Sequence, residues 1–277
     1  MGSEIRSVFY VSDNTAVSVH NIGQSLLTQF QHIEFRQIFR PFTDSMEKTI
    51  ALTEEIKSTV KKDGQRPIVF SSLVNREIRE VIIRSSGLVF DIYDAFLKQI
   101  EGELSMKSVP TVGRSHRIVD ADSYSTRMNA VNYTLAHDDG LTIKDYDHAD
   151  VIITGLSRTG KTPTCVYLAL QFGVYAANYP LTEDDFLSTN NNFSLLLSPY
   201  RKKLFGLSIN PERLQRIRHE RRPDSRYSSL KQCQMEVRMA EEFFTSENIP
   251  FINITTISVE EIAASIMHEK NLQRRLG

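Results

Sequence analysis

Residues 151–170 read VIITGLSRTGKTPTCVYLAL, and no other stretch restricts the fold as tightly. Within it, Gly155-Leu156-Ser157-Arg158-Thr159-Gly160-Lys161-Thr162 satisfies G-x-x-x-x-G-K-[ST] at every specified position. An apolar run precedes the motif and a second apolar run follows, which predicts a strand, a loop and a helix in that order. Each residue type has a task there. The glycines let the backbone curl so that successive N–H groups face phosphate oxygens. Lys161 supplies positive charge to terminal phosphates, and Thr162 offers a hydroxyl to a magnesium ion bridging them. The helix that begins there adds the positive end of its dipole. Pro163 is compatible, because N–H groups in a first helical turn have no intrahelical partner to lose. The plain alternative is a glycine-rich strand-to-helix turn that holds nothing.

The motif starts more than halfway along a 277-residue chain, so the residues before it need an organisation of their own. They show the same alternation. Val8 to Val11 read as a strand, Ser12 to Thr15 as a turn, and Val19, Ile22, Leu26, Leu27 and Phe30 as a helix face. SMEKTIALTEEIKSTVKKDG is an amphipathic helix stopped by Gly64. Ile68 to Phe70 form another strand, followed by a helix with Leu73, Ile78, Ile82 and Ile83 on one side. Residues 101–128 break the rhythm and read as a long loop, after which a helix ends at Gly140. Beyond the motif, VYAANYP, KLFGLSIN and PFINITT read as strands. PERLQRIRHERRPDSRYSS reads as an arginine-rich turn before a long amphipathic helix, and Ser258 with Glu261 predicts a capping box on the last helix. The fold class expected is α/β in two domains. Residues 1–145 form an N-terminal α/β domain with parallel strands, assigned to target recognition. Residues 146–277 form a P-loop kinase-like parallel sheet with flanking helices.

Composition narrows the classes of function. With 33 basic and 34 acidic residues the net charge is −1, which gives no global attraction to nucleic acid or to an anionic membrane. No run approaches the eighteen or so apolar residues of a membrane span. Two cysteines, Cys165 and Cys233, sit in apolar helical contexts without metal-ligand spacing and are expected in the core of a reduced, cytoplasmic protein.

VFYVSD, TLAHDDG, GLSRTGKTPT, QFGVYAANYPL, KLFGLSINPERLQRIRHERRPDSRYSSLKQC and SVEEIA together resemble the regulatory proteins of phosphoenolpyruvate synthase and of pyruvate, phosphate dikinase. The resemblance runs from about residue 7 to residue 266. It implies a bifunctional serine/threonine kinase that uses ADP to phosphorylate a threonine of its target enzyme. It implies also that inorganic phosphate removes that group again, with pyrophosphate as product. AHDDG and ERRPDSRYSSLKQC resemble the branch directed at phosphoenolpyruvate synthase, so the synthase is the expected partner. The same activity on the dikinase, a small-metabolite kinase, and a nucleotide-dependent binding switch are the alternatives. A homo-oligomer is compatible with the sequence.

Other candidates surround the loop. Arg213, Arg216, Arg218, Arg221, Arg222 and Arg226, with His219 among them, suggest a lid that neutralises phosphate charge or a docking surface for the target. The alternative is a solvated helix face. Arg221, Arg222 and Arg226 are favoured for function because Pro223 breaks the helix. His137, Asp138 and Asp139 offer a base toward the threonine hydroxyl, a magnesium carboxylate or a proton shuttle, or else simply end a helix. Asp184 and Asp185 are rivals for the carboxylate role. No strand ends in the apolar-run-plus-Asp pattern of a Walker B motif, so the magnesium partner of Thr162 is unassigned. Ser12, Asp13, Asn14 and Thr15, and with a weaker claim Ser71 and Ser72, suit either anion binding or ordinary capping.

Overall fold

The computed structural model describes residues 4–109, 121–140, 145–182, 185 and 197–275. The chain forms two compact units, Met1–Arg117 and Ile118–Gly277.

In the first unit the described elements are β1 (Glu4–Ser12), α1 (Val17–Leu27), β2 (Ile33–Arg40), α2 (Met46–Asp63), β3 (Ile68–Ser72), α3 (Arg76–Ile83), β4 (Leu88–Asp91) and α4 (Ile92–Leu104). The strands are parallel in the order β2-β1-β3-β4. Alternation along the two central strands sends Val8, Tyr10 and Phe70 to one face with Val19 and Leu27 of α1. Phe9, Val11 and Val69 go to the other face, against Leu52, Ile56, Ile78 and Ile82. As expected, α2 ends at Gly64, whose N–H bonds to the Val60 carbonyl. The strands β2 and β4 were not expected. Both are edge strands without a continuous buried run, so they lack the apolar signature of a central parallel strand.

The second unit contains α5 (Ala121–Ala136), β5 (Val151–Gly155), α6 (Lys161–Phe172), β6 (Ala176–Pro180), β7 (Leu204–Ser208), α7 (Pro211–Arg221), α8 (Leu230–Ser246), β8 (Phe251–Asn253) and α9 (Val259–Glu269). Its sheet is parallel in the order β6-β5-β7-β8, and every residue of β5 and β7 is buried. One face packs Ile152, Leu204, Cys233, Val237 and Phe244. The other packs Val151, Ile153, Cys165, Phe205 and Ile266. Both cysteines are therefore core residues, as expected. The capping box of Ser258 and Glu261 is present.

Three expectations need correction. The chain divides at Arg117, not at residue 145, because α5 belongs with the second unit: Thr134 Oγ1 donates to the Ala176 carbonyl at 2.8 Å. The long loop expected over residues 101–128 is shorter, since α4 runs to Leu104 and α5 begins at Ala121; residues 110–120 lie outside the described residues. The arginine-rich segment is not one turn. Asn210 caps a separate helix, α7, by accepting from the N–H groups of Glu212 and Arg213, with Pro211 in its first turn.

Candidate active site

The loop lies where β5 hands over to α6. Its glycines are needed for different reasons. Gly160 is the N-cap of α6 and sits at φ 72°, a conformation that side chains disfavour. Gly155 lies against β7, and a Cβ there would come within 2.6 Å of the Leu207 carbonyl oxygen, part of a strand that cannot move aside cheaply. Thr159 braces the turn by donating to the Leu156 carbonyl at 2.8 Å.

Lys161 turns inward and is only 5% exposed. Its Nζ donates to the Leu156 carbonyl at 3.0 Å. Burial pushes its pKa down to about 8, opposed by the nearby carboxylates of Asp139 and Asp138. A phosphate ligand would restore the charged form, so binding above that pH must take up a proton. The affinity of any phosphate ligand that this lysine holds, measured by calorimetry in metal-free buffer, is therefore expected to hold steady up to about pH 8 and to fall above it. The fall approaches about tenfold per pH unit. A flat profile to pH 9.5 would mean that Lys161 stays protonated in the empty loop.

A carboxylate from the segment before β5 reaches the loop. Thr162 Oγ1 donates to Asp138 Oδ1 at 2.8 Å. Asn178, from β6, donates its Nδ2 to the same oxygen and, at 3.3 Å, to Thr162 Oγ1. The Asn178 amide oxygen accepts the Asp139 N–H at 2.8 Å, which fixes the orientation of the side chain. Sequence reasoning missed Asn178, which is 1% exposed. The available signal was an asparagine inside an apolar strand, since a buried amide requires partners.

His137 is buried and stacks on Tyr133, ring centroids 4.0 Å apart, while its Nδ1 lies 2.7 Å from the Tyr133 carbonyl and donates to it. Its own carbonyl accepts the Asn178 N–H at 3.1 Å. The histidine thus anchors the turn that presents Asp138 and Asp139. Asp139 is exposed, at φ 48°, and lines a crevice of about 700 Å³ with Ser157, Arg158, Gly160, Lys161, Thr162, Arg221 and Arg222.

The structure separates the remaining candidates. Arg221 and Arg222 reach the crevice, whereas exposed Arg226 is not among the residues that line it. Arg218 is neither lid nor solvated face: it is 1% exposed and pairs with Glu236 at 2.7 Å. Asp184 lies outside the described residues. The Asp185 carboxylate already accepts from the Tyr179 hydroxyl at 3.0 Å and from Thr182 N and Oγ1 at 2.8 and 2.9 Å, which makes it a poor rival to Asp138. In the first unit, Ser12, Asp13, Asn14, Thr15 and Ser72 line a separate crevice of about 180 Å³. Their side chains close local bonds, Ser12 Oγ to the Asn14 N–H and Asp13 Oδ2 to the Val74 N–H. Ser71 is buried in β3.

Magnesium takes oxygen ligands, keeps several waters, and is held by one or two protein groups plus substrate phosphates. The adjacent Thr162 hydroxyl and Asp138 carboxylate fit that habit. Among the described residues no cluster of three or more histidine, cysteine, aspartate or glutamate side chains could hold a metal without such a ligand. No helix among them is long and apolar enough to cross a membrane.

The profile of a family described as kinase/pyrophosphorylase matches residues 8–267. A protein of Pseudomonas savastanoi named "Putative phosphoenolpyruvate synthase regulatory protein" is 50% identical over 270 residues, covering 98% of each chain. Proteins of the same name from Stutzerimonas stutzeri and Alkalilimnicola ehrlichii are each 49% identical over 271 residues; both matches cover 98% of this chain, and 99% and 98% of the relatives. Matched along almost its whole length, the chain belongs to the kinase/pyrophosphorylase family.

Proposed function

We propose that this protein is a bifunctional phosphotransferase that inactivates and reactivates phosphoenolpyruvate synthase through one of its threonines. In the forward direction the threonine oxygen bonds to the β-phosphorus of ADP, the bond to the α-phosphate oxygen breaks, and AMP leaves. In the return direction an oxygen of inorganic phosphate takes the phosphoryl group from the threonine, giving pyrophosphate and the free hydroxyl. Both reactions move one phosphoryl group between a threonine oxygen and a phosphate oxygen, so a single cradle suits both.

The observation that carries this reading is the junction of Asp138, Thr162 and Asn178 beside Lys161. Phosphoryl transfer rests on positioning and on neutralising charge. Lys161, Arg221 and Arg222 supply positive charge to the phosphates, and Asp138 accepts the threonine proton. Thr162 and Asp138 would hold magnesium, which when bound neutralises charge on the phosphates. Recognition of the synthase falls in this reading to the first unit, where exposed Leu26, Phe30 and Phe96 line an apolar groove of about 490 Å³. Slowed hydrogen exchange around that groove on adding the synthase tests the assignment; unchanged exchange there removes it.

Mass spectrometry tests the reaction itself. Purified synthase incubated with this protein and ADP is expected to gain one phosphate on a threonine, and to lose it after inorganic phosphate is added. Pyruvate, phosphate dikinase run in parallel separates the two targets. A synthase that stays unmodified would overturn the proposal.

A further inference from the structure

The crevice beside the loop holds more than the groups that suit phosphate. Tyr227 lines it together with Ile217 and Pro180. Tyr227 is half-buried, and the residue is held at three points, two of them on its side chain. The guanidinium of Arg218 lies over one face, 4.2 Å from the ring centroid. The hydroxyl is 3.0 Å from Ser157 Oγ in the loop. The Tyr227 carbonyl accepts from Arg218 Nη1 at 3.2 Å. Arg218 is itself fixed, because Nη2 donates to Glu236 Oε2 at 2.7 Å while Gln232 Nε2 holds the other oxygen of Glu236 at 2.8 Å. The cation is buried, paired and stacked, and contributes no free charge to the crevice.

The geometry points to Tyr227 as the stacking platform for the base of the nucleotide whose phosphates the loop holds, with Arg218 as the positioning residue behind it. This rests on the proposed nucleotide reaction. With one face covered by the guanidinium, the opposite face is the one Tyr227 can turn to the crevice. A planar guanidinium stacks well on an aromatic ring and so fixes its plane. A ring already held in place loses little freedom when a base settles on it. Ile217 and Pro180 supply apolar walls for the edges of a flat ligand, and Ser157 links the platform to the loop. The site would take a nucleoside diphosphate, whereas inorganic phosphate and pyrophosphate would use the loop alone.

That difference is the test. Dissociation constants for ADP and for pyrophosphate are measured by calorimetry on the full-length protein and on Tyr227→Ala, Tyr227→Leu and Tyr227→Phe. Tyr227→Ala is expected to weaken ADP by about tenfold to a hundredfold, the usual cost of losing a stacked base, and to leave pyrophosphate within about twofold. Tyr227→Phe keeps the ring and is expected to bind ADP as the parent does. A loss of ADP affinity in Tyr227→Phe as large as that in Tyr227→Ala would show that the hydroxyl latch to Ser157 matters and stacking does not. Equal losses of ADP and pyrophosphate in Tyr227→Leu, which fills the space without an aromatic face, would overturn the assignment even if Tyr227→Ala fails to fold. Arg218→Lys keeps the charge but not the planar stack, and is expected to raise the KM for ADP while leaving kcat for phosphorolysis unchanged. A raised KM for ADP together with a lowered kcat for phosphorolysis would reduce Arg218 to a structural residue. If the parent protein binds neither ligand, the nucleotide reading itself fails, whatever the variants do.

Discussion

Replacing Lys161 by alanine is expected to abolish threonine phosphorylation and phosphorolysis together, while the protein stays folded. Both reactions gather negative charge on phosphate oxygens, and Lys161 is the cation at the base of the loop. Loss of one preorganised charge-stabilising group typically costs about a hundredfold to a thousandfold in rate. The folding half of the expectation comes from burial. Lys161 is 5% exposed, and among the described residues its ammonium has one hydrogen bond, to the Leu156 carbonyl. Holding a cation there without phosphate is unfavourable, as its lowered pKa shows. Lys161→Ala therefore loses activity without losing thermal stability, and its unfolding midpoint is expected to match or exceed the parent's. Rates in each direction and a melting curve decide this. Retained activity would move the phosphates elsewhere, and a large drop in melting temperature would make the lysine structural.

How much of this was legible follows from which forces act locally. β5, the loop and α6 are encoded within 22 consecutive residues, Val151–Phe172, and the structure keeps them as read. Gly173 ends α6, a stop that depends on one residue's backbone freedom. Edge strands were harder: β2 carries Glu34, Arg36 and Arg40 on a half-exposed surface, so no apolar run announces it. The boundary at Arg117 was misplaced because the attachment of α5 is a tertiary fact, written in a Thr134 bond to a strand 42 residues away. The same holds for the carboxylate. Asp138 was named as a candidate, but a search for aspartate at the end of a strand could not pair it with Thr162, which it reaches from a turn 24 residues earlier in the chain. Arg218 misled in the opposite direction. It was grouped with solvent-facing arginines, and only its pairing with Glu236 shows why one member of that run is buried.

Asp138→Asn is the second change with a large expected effect, and it separates charge from shape. The amide that replaces the carboxylate has the same size, and its oxygen still accepts from Thr162 and Asn178. The junction should therefore persist. What disappears is the negative charge and the ability to take a proton from a threonine hydroxyl. Base catalysis is worth about a hundredfold to ten-thousandfold. The forward kcat is expected to fall by that factor, with metal-free ADP binding unchanged. The two bonds that reach the Asp138 carboxylate from described residues both fall on Oδ1, so Oδ2 is the oxygen that can turn to a substrate hydroxyl. Asp139→Asn is the matched comparison, since Asp139 lines the crevice but contributes its backbone N–H to Asn178. If Asp138 is the base, Asp139→Asn loses far less than Asp138→Asn. The reverse ranking would transfer the role to Asp139 and leave Asp138 as the residue that holds Thr162 in place. Asn178→Ala distinguishes the remaining case. Removing the amide frees Asp138, Thr162 and the Asp139 N–H at once, so activity should fall even though every charged group near the phosphates remains.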